Sequence, residues 1–195
     1  VLELLRRIIN FGVKKGFCPW QDPSRLHFEM PRLNNVKTEM LTKEERARFI
    51  EAAQAAPNRK AGQLMLMAYY TGMRRNELFG LKWAHIDFEH GFINIVGERQ
   101  EGAKSSRDER IPLTQPVRDI LRDVDDNDSA YVFPGKDGLS RMTDINKQVN
   151  AIKAVAGLPK DFRPLHGLRH TFASVAVSNG VPLSHVQKLL THKDP

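Results

Sequence analysis

Cysteine is nearly absent: Cys18 is the single thiol in 195 residues. One thiol excludes an internal disulfide and fits a reducing interior. No apolar run approaches the about 20 residues needed to span a bilayer, and Arg6 and Arg7 interrupt the N-terminal one. The expectation is a soluble, cytoplasmic protein. There is no internal repeat, no low-complexity tract and no glycine-rich phosphate loop. Tyrosine is scarce as well. Tyr69 and Tyr70 sit in one apolar helix and Tyr131 in an Ala-Tyr-Val-Phe run, and no tyrosine follows His192. All three read as structural. What is abundant is positive charge: 30 Lys and Arg against 23 Asp and Glu, a net +7. That balance favours a polyanionic partner but does not decide it, because many basic proteins bind nothing acidic. The 41% apolar and 27% charged composition is that of an ordinary globular chain, one domain or one domain plus a fragment.

The pattern along the chain is mostly helical. Apolar residues at 1, 4, 5, 8 and 9 form a helical stripe, with Lys14, Lys15 and Gly16 as its stop. Pro19, Pro23, Pro31 and Asn34-Asn35 mark an irregular connector. Thr42 followed three residues later by Glu45 is a capping box, predicting a helix to about residue 56. A buried helix is expected over 61–71, closed by Gly72, and a short one over 74–81. Ile86-Asp87-Phe88 and residues 92–96 read as strands around a Glu89-His90-Gly91 turn. Residues 110–113 supply a third strand that Pro112 places at an edge or end, which makes 98–109 a polar hairpin tip. Helices are expected over 116–124, 141–156, 167–179 and 183–191. The predicted class is α+β, mostly helical with a small three-stranded antiparallel sheet.

Two short segments carry unusual chemistry. Thr71-Gly72-Met73-Arg74-Arg75 sets arginines at a helix start, and His166-Gly167-Leu168-Arg169-His170 sets His166 and Arg169 in the first turn after Pro164. A helix N-terminus carries partial positive charge and mildly disfavours cations. Breaking that local rule twice, with arginine each time, is the kind of inconsistency found at functional sites. A bound phosphate would turn the cost into a gain, since backbone N–H groups and guanidinium forks would converge on it. Solvated or salt-bridged surface arginines fit the same residues, so both readings stay open here. Metal binding by His166-x-x-x-His170 is disfavoured. Gly167 stands where a metalloprotease needs glutamate, and Arg169 between the ligands repels a dication. His170 therefore reads as a packing or hydrogen-bonding residue, and no metal or cofactor is expected.

Taken together, these segments resemble the tyrosine recombinases, the phage-integrase family of DNA strand-exchange enzymes. Residues 71–81 are similar to the family's first arginine motif, with Arg74 at the phosphate-binding position and Glu77 at the acidic position that orients the site. His166-Gly167-Leu168-Arg169 is similar to the second motif, with His166 and Arg169 as the functional pair. Leu189-Leu190-Thr191-His192 resembles the Leu-Gly-His element, with Thr191 in place of glycine. Gly102-Ala103-Lys104-Ser105-Ser106-Arg107 before Arg110-Ile111-Pro112-Leu113 resembles the hairpin that delivers the catalytic lysine. Lys104 is the matching position, with Arg107 and Arg110 as competitors. The resemblance covers roughly residues 38–195.

That resemblance implies an integrase catalytic fold over 40–195, C-terminally incomplete. A linker over 19–39 and the last helix of an N-terminal core-DNA-binding domain over 1–18 would precede it. It implies site-specific DNA recombination by a prophage or mobile-element integrase, through a 3′-phosphotyrosine intermediate. Arg74 and Arg169 would stabilise charge on the non-bridging oxygens. His166 would assist proton transfer, His192 would donate to a non-bridging oxygen, and Lys104 would protonate the departing 5′-oxygen. The implied partners are double-stranded DNA and further protomers, four in the synapse. The nucleophilic tyrosine is absent from this chain, so inactivity of the fragment is the expectation. A non-catalytic DNA-binding relative of the integrases and a type IB topoisomerase-like DNA relaxase are the alternatives.

Overall fold

The computed structural model describes residues 2–17, 40–95, 109–124 and 128–190. The chain divides into two compact units, Val1–Lys37 and Thr38–Pro195. In the first unit, α1 (Leu2–Lys14) bears the expected apolar stripe and ends just before Gly16. The expected linker, 19–39, lies outside the described residues.

The second unit is built around α3 (Arg59–Thr71), most of which is buried: Ala61, Leu64, Met65, Met67, Ala68 and Thr71 are at 0% exposure. A helix apolar on every side needs neighbours on every side. They are α2 (Lys43–Gln54), α5 (Gln115–Asp123), α6 (Asn146–Val155) and α7 (Pro164–Ser178), all packed against α3. The Thr42 capping box forms as predicted: Thr42 Oγ1 accepts from the Glu45 N–H, and Glu45 Oε2 accepts from the Thr42 N–H. At the other end α2 stops at Gln54, one turn before Pro57. α3 starts two residues earlier than expected because Asn58 Oδ1 caps the Ala61 N–H at 2.8 Å.

The sheet is antiparallel in the order β1-β2-β3, with β1 Ile86–Asp87, β2 Phe92–Ile95 and β3 Glu109–Pro112. Ile93 pairs with Ile86 on one side and Ile111 on the other, which gathers three buried isoleucines on one face. Pro112 ends the edge strand, where its missing N–H costs nothing. β1 is a residue shorter than expected. Asp87 turns into the connection by accepting from the His90 N–H at 2.8 Å and pairing with its ring at 2.9 Å. This mostly helical α+β architecture is the predicted class.

Other local expectations need correction, and α7 begins at Pro164, three residues before the expected start of that helix. The helix predicted over 141–156 is only α6, 146–155. Arg141 pairs instead in a β-bridge with Pro134, and Asp144 Oδ1 accepts the Asn146 N–H. A short aspartate side chain there competes with the helical backbone and delays its start. A 3₁₀ turn over Trp83–His85, absent from the sequence reading, carries the chain from the short α4 (Arg75–Phe79) into β1. The last described helix, α8 (Leu183–Leu189), ends two residues early. Among the described residues no helix is long and apolar enough to cross a membrane.

Candidate phosphate-binding site

Arg74 sits at the N-cap of α4, a position where a carboxylate is normally favoured. Glu77 supplies the missing charge from within the first turn. Its Oε2 accepts from the Arg74 backbone N–H at 2.6 Å, and its Oε1 accepts from the Arg74 guanidinium at 2.8 Å. One carboxylate thus caps the helix and orients the arginine fork. Its own side chain is 15% exposed, against 44% for Arg74, so the more accessible member of the pair is the cation. α4 has only five residues, too few to be stable alone. Two further arginines tie it to the loop before α6: Arg141 donates to the Asn76 carbonyl at 3.0 Å and Arg75 to the Thr143 carbonyl at 3.2 Å. Neither tie was visible in the sequence, since a main-chain acceptor leaves no residue-type signal.

α7 begins at Pro164, whose fixed φ and absent N–H suit the first helical position. Its buried face carries Leu168, Arg169 and Thr171. Thr171 Oγ1 accepts from the Leu41 N–H at 3.0 Å, which pins α7 beside the start of α2. Gly167 makes room for the approach of Phe162: a Cβ there would lie 2.2 Å from the Phe162 ring. Arg169 reaches furthest. Nη1 donates to the Gly72 carbonyl at 2.6 Å and Nη2 donates to the Leu190 carbonyl. A single buried guanidinium therefore joins three segments: the turn two residues before Arg74, the second turn of α7 (His166 is in the first turn, but Arg169, expected there too, is not), and the end of α8 two residues before His192. Gly72 makes that turn possible. It ends α3 at φ +65°, and a side chain there would meet Phe172 at 2.6 Å and Leu190 at 3.0 Å.

His166 lies three residues before Arg169 and makes a hydrogen bond of 2.9 Å between its Nε2 and that of His170. The three motif segments are thus brought together through Arg169, Gly72 and Leu190. Lys104 and His192 lie outside the described residues, as do Arg107 and the hairpin tip. Beside the Arg74–Glu77 pair runs a groove of about 260 Å³, lined among others by Glu77, Lys82, His85, Asn94, Tyr131 and Arg141. Burial, then the charge of Lys82, lowers the His85 pKa below the usual histidine value, so this imidazole favours the neutral form.

The tyrosines hold structural places. Tyr69 meets Phe49 and Tyr70 edge-on, with centroids 5.7 and 4.9 Å apart. Burial raises the Tyr70 pKa, the wrong direction for an activated nucleophile. Tyr131 lies under the Lys82 ammonium, 5.2 Å from its ring centre. Among the described residues no group of three or more His, Cys, Asp or Glu is placed to hold a metal ion.

A buried arginine thus ties the ends of α3 and α8 within a mostly helical α+β domain, and an accessible Arg–Glu pair opens α4. Residues 39–195 match the phage integrase family, and the chain belongs to that family. It is 28% identical over 171 residues to tyrosine recombinase XerC of Xanthomonas axonopodis pv. citri, covering 84% of this chain and 53% of that protein. Tyrosine recombinase XerD of Brucella suis is 28% identical over 214 residues, covering 99% of this chain and 67% of that protein. The fold is similar to that of the Tn1549 transposon integrase in complex with circular intermediate DNA. The TM-score is 0.73 at 17% identity, over 97% of this chain and 69% of that one. The chain thus spans between about half and two thirds of the length of these proteins.

Proposed function

We propose that this chain is the catalytic part of a site-specific DNA recombinase that cuts and rejoins strands through a 3′-phosphotyrosine. The observation that carries the reading is the Arg169 junction, which ties the Arg74 turn, the His166 helix and the segment leading to His192. In this reading a scissile phosphate meets the Arg74 fork, held by Glu77, and the edge of the Arg169 guanidinium. Both cations are permanent at any cellular pH and planar enough for bidentate contact. They stabilise the charge that develops on the non-bridging oxygens as the phosphate becomes five-coordinate. His166 assists proton transfer, His192 donates to a non-bridging oxygen, and Lys104 protonates the departing 5′-oxygen. The covalent protein–DNA bond conserves the phosphodiester energy, so the chemistry consumes no nucleotide cofactor. The tyrosine is a residue this chain does not contain after His192.

The partners in this reading are double-stranded DNA and further recombinase protomers, four in the synapse, in a cytoplasmic, DNA-associated protein of a prophage or mobile element. The relatives named tyrosine recombinases and the DNA-bound integrase neighbour support it. The test is binding of the 195-residue chain to duplex DNA across a salt series. Binding should be weak and fall steeply with salt, and Arg74→Ala should reduce the log–log slope by about one, the share of one phosphate contact. No binding at low ionic strength overturns the proposal. With a tyrosine-containing extension, joining of two DNA sites separates recombination from relaxation of a single circle.

A further inference from the structure

One residue beside the site has no task in the chemistry above. His170 lies one helical turn beyond His166, on the same face of α7. The two Nε2 atoms are 2.9 Å apart, and the rings cross edge-on at 78° with centroids separated by 4.5 Å. Both residues are held from beneath. Arg169, between them in sequence, is bonded to the Gly72 and Leu190 carbonyls, and Thr171 is bonded to Leu41 and to the Gly167 carbonyl. The helix therefore presents the two imidazoles at a set separation.

At 2.9 Å two ring nitrogens bond only if one carries a hydrogen and the other a lone pair. Two imidazolium rings would instead place two N–H groups and two like charges against each other. The bonded pair thus holds complementary roles at Nε2, and the state of one ring dictates the state of the other. We propose that His170 is a positioning residue for His166. It holds the ring through Nε2 and determines which nitrogen bears the proton. That commits Nδ1 of His166 as the atom that exchanges a proton at the phosphate site.

The proton count closes. In the tautomer in which His166 donates at Nε2, a proton taken at Nδ1 from the attacking hydroxyl sends the Nε2 hydrogen across the bond to Nε2 of His170. His166 remains neutral, and the positive charge rests on His170 until the reverse transfer. This accounts for a histidine pair at i and i+4 without a metal, the same arrangement that orients catalytic imidazoles through a hydrogen bond on their second nitrogen. The inference rests on the reading of His166 as part of the phosphate site.

The experiment uses the 195-residue chain labelled with ¹⁵N in its histidine rings. Nitrogen–nitrogen coupling across the hydrogen bond should link Nε2 of His166 to Nε2 of His170, with complementary tautomers in the two rings. In His170→Leu the coupling disappears and the His166 tautomer populations shift away from those of the wild-type chain. In His170→Gln the amide restores a single His166 tautomer. No coupling in the wild-type chain, or an unchanged His166 tautomer in His170→Leu, overturns the inference. Addition of duplex DNA is a separate arm. His166 ring resonances that shift support its place at the phosphate. A coupled pair that ignores DNA overturns that placement, and with it the positioning role, while leaving the hydrogen bond itself intact.

Discussion

Arg169→Ala tests whether one guanidinium joins the three segments. The substitution removes two charge-assisted hydrogen bonds, to the carbonyls of Gly72 and Leu190. Bonds of that kind are worth about 1.5–3 kcal/mol each. Arg169 is only 9% exposed, so taking the cation out of water offsets part of the gain. The lower end, about 3 kcal/mol, is therefore the expected loss. For a folding unit of this size each kcal/mol moves Tm by about 2–4 °C, which places the Ala variant roughly 6–12 °C below wild type. Calorimetry or circular-dichroism melting at neutral pH reads the shift. Arg169→Lys sharpens the test. A single ammonium nitrogen keeps the charge but cannot fork to two separated carbonyls, so about half the loss should persist. If Arg169→Ala melts within about a degree of wild type, the junction carries no stability and the argument for the assembled site fails.

Further outcomes follow from the same geometry. Gly72→Ala combines a left-handed φ of +65° with a Cβ 2.6 Å from Phe172, and should cost more than about 1 kcal/mol, read as a lowered urea midpoint with an unchanged slope. Asp137 accepts from Ser140 and Leu139, and these bonds lower its pKa to about 2. A depressed folded-state pKa stabilises above the unfolded value and loses that effect as pH falls through the folded one. Asp137→Ala should therefore melt below wild type at pH 7, with the gap closing between about pH 4 and pH 2; a constant gap over that range would refute the carboxylate's role. In a chain extended to include the tyrosine, Lys104→Ala should slow cleavage by roughly 10²–10⁴. A substrate with sulfur as the departing 5′-atom should recover most of that loss, because a thiolate leaves without a proton. Equal slowness on both substrates would remove Lys104 as the acid.

Much of the fold was readable because its signals are local. The Thr42–Glu45 capping box, the Gly72 stop and Pro112 at a strand end act over a turn or two of chain, where side chain and backbone meet directly. The failures share a cause too. Residues 141–145 have helical spacing but join a β-bridge and a loop anchored to α4, and pairing with a distant partner outweighs a weak local preference. The Trp83–His85 turn is likewise set by its neighbours, since Trp83 donates to the Ala130 carbonyl across the chain.

For the site the division is clearer still. Residue type and spacing marked Arg74, His166 and Arg169 as cations beside glycine or proline breaks, and the resemblance to the integrase family grouped them with Glu77. Tertiary structure alone decided how they divide the work. Arg169 is buried and spends two donors on the main chain of Gly72 and Leu190, 97 and 21 positions away, while Arg74 stands accessible on a carboxylate from its own helix. The reason is physical. A main-chain carbonyl is the same acceptor at every position, so the sequence carries no mark of which two a buried guanidinium must satisfy. Only the packing of α7 against α3 and α8 brings those two within its reach.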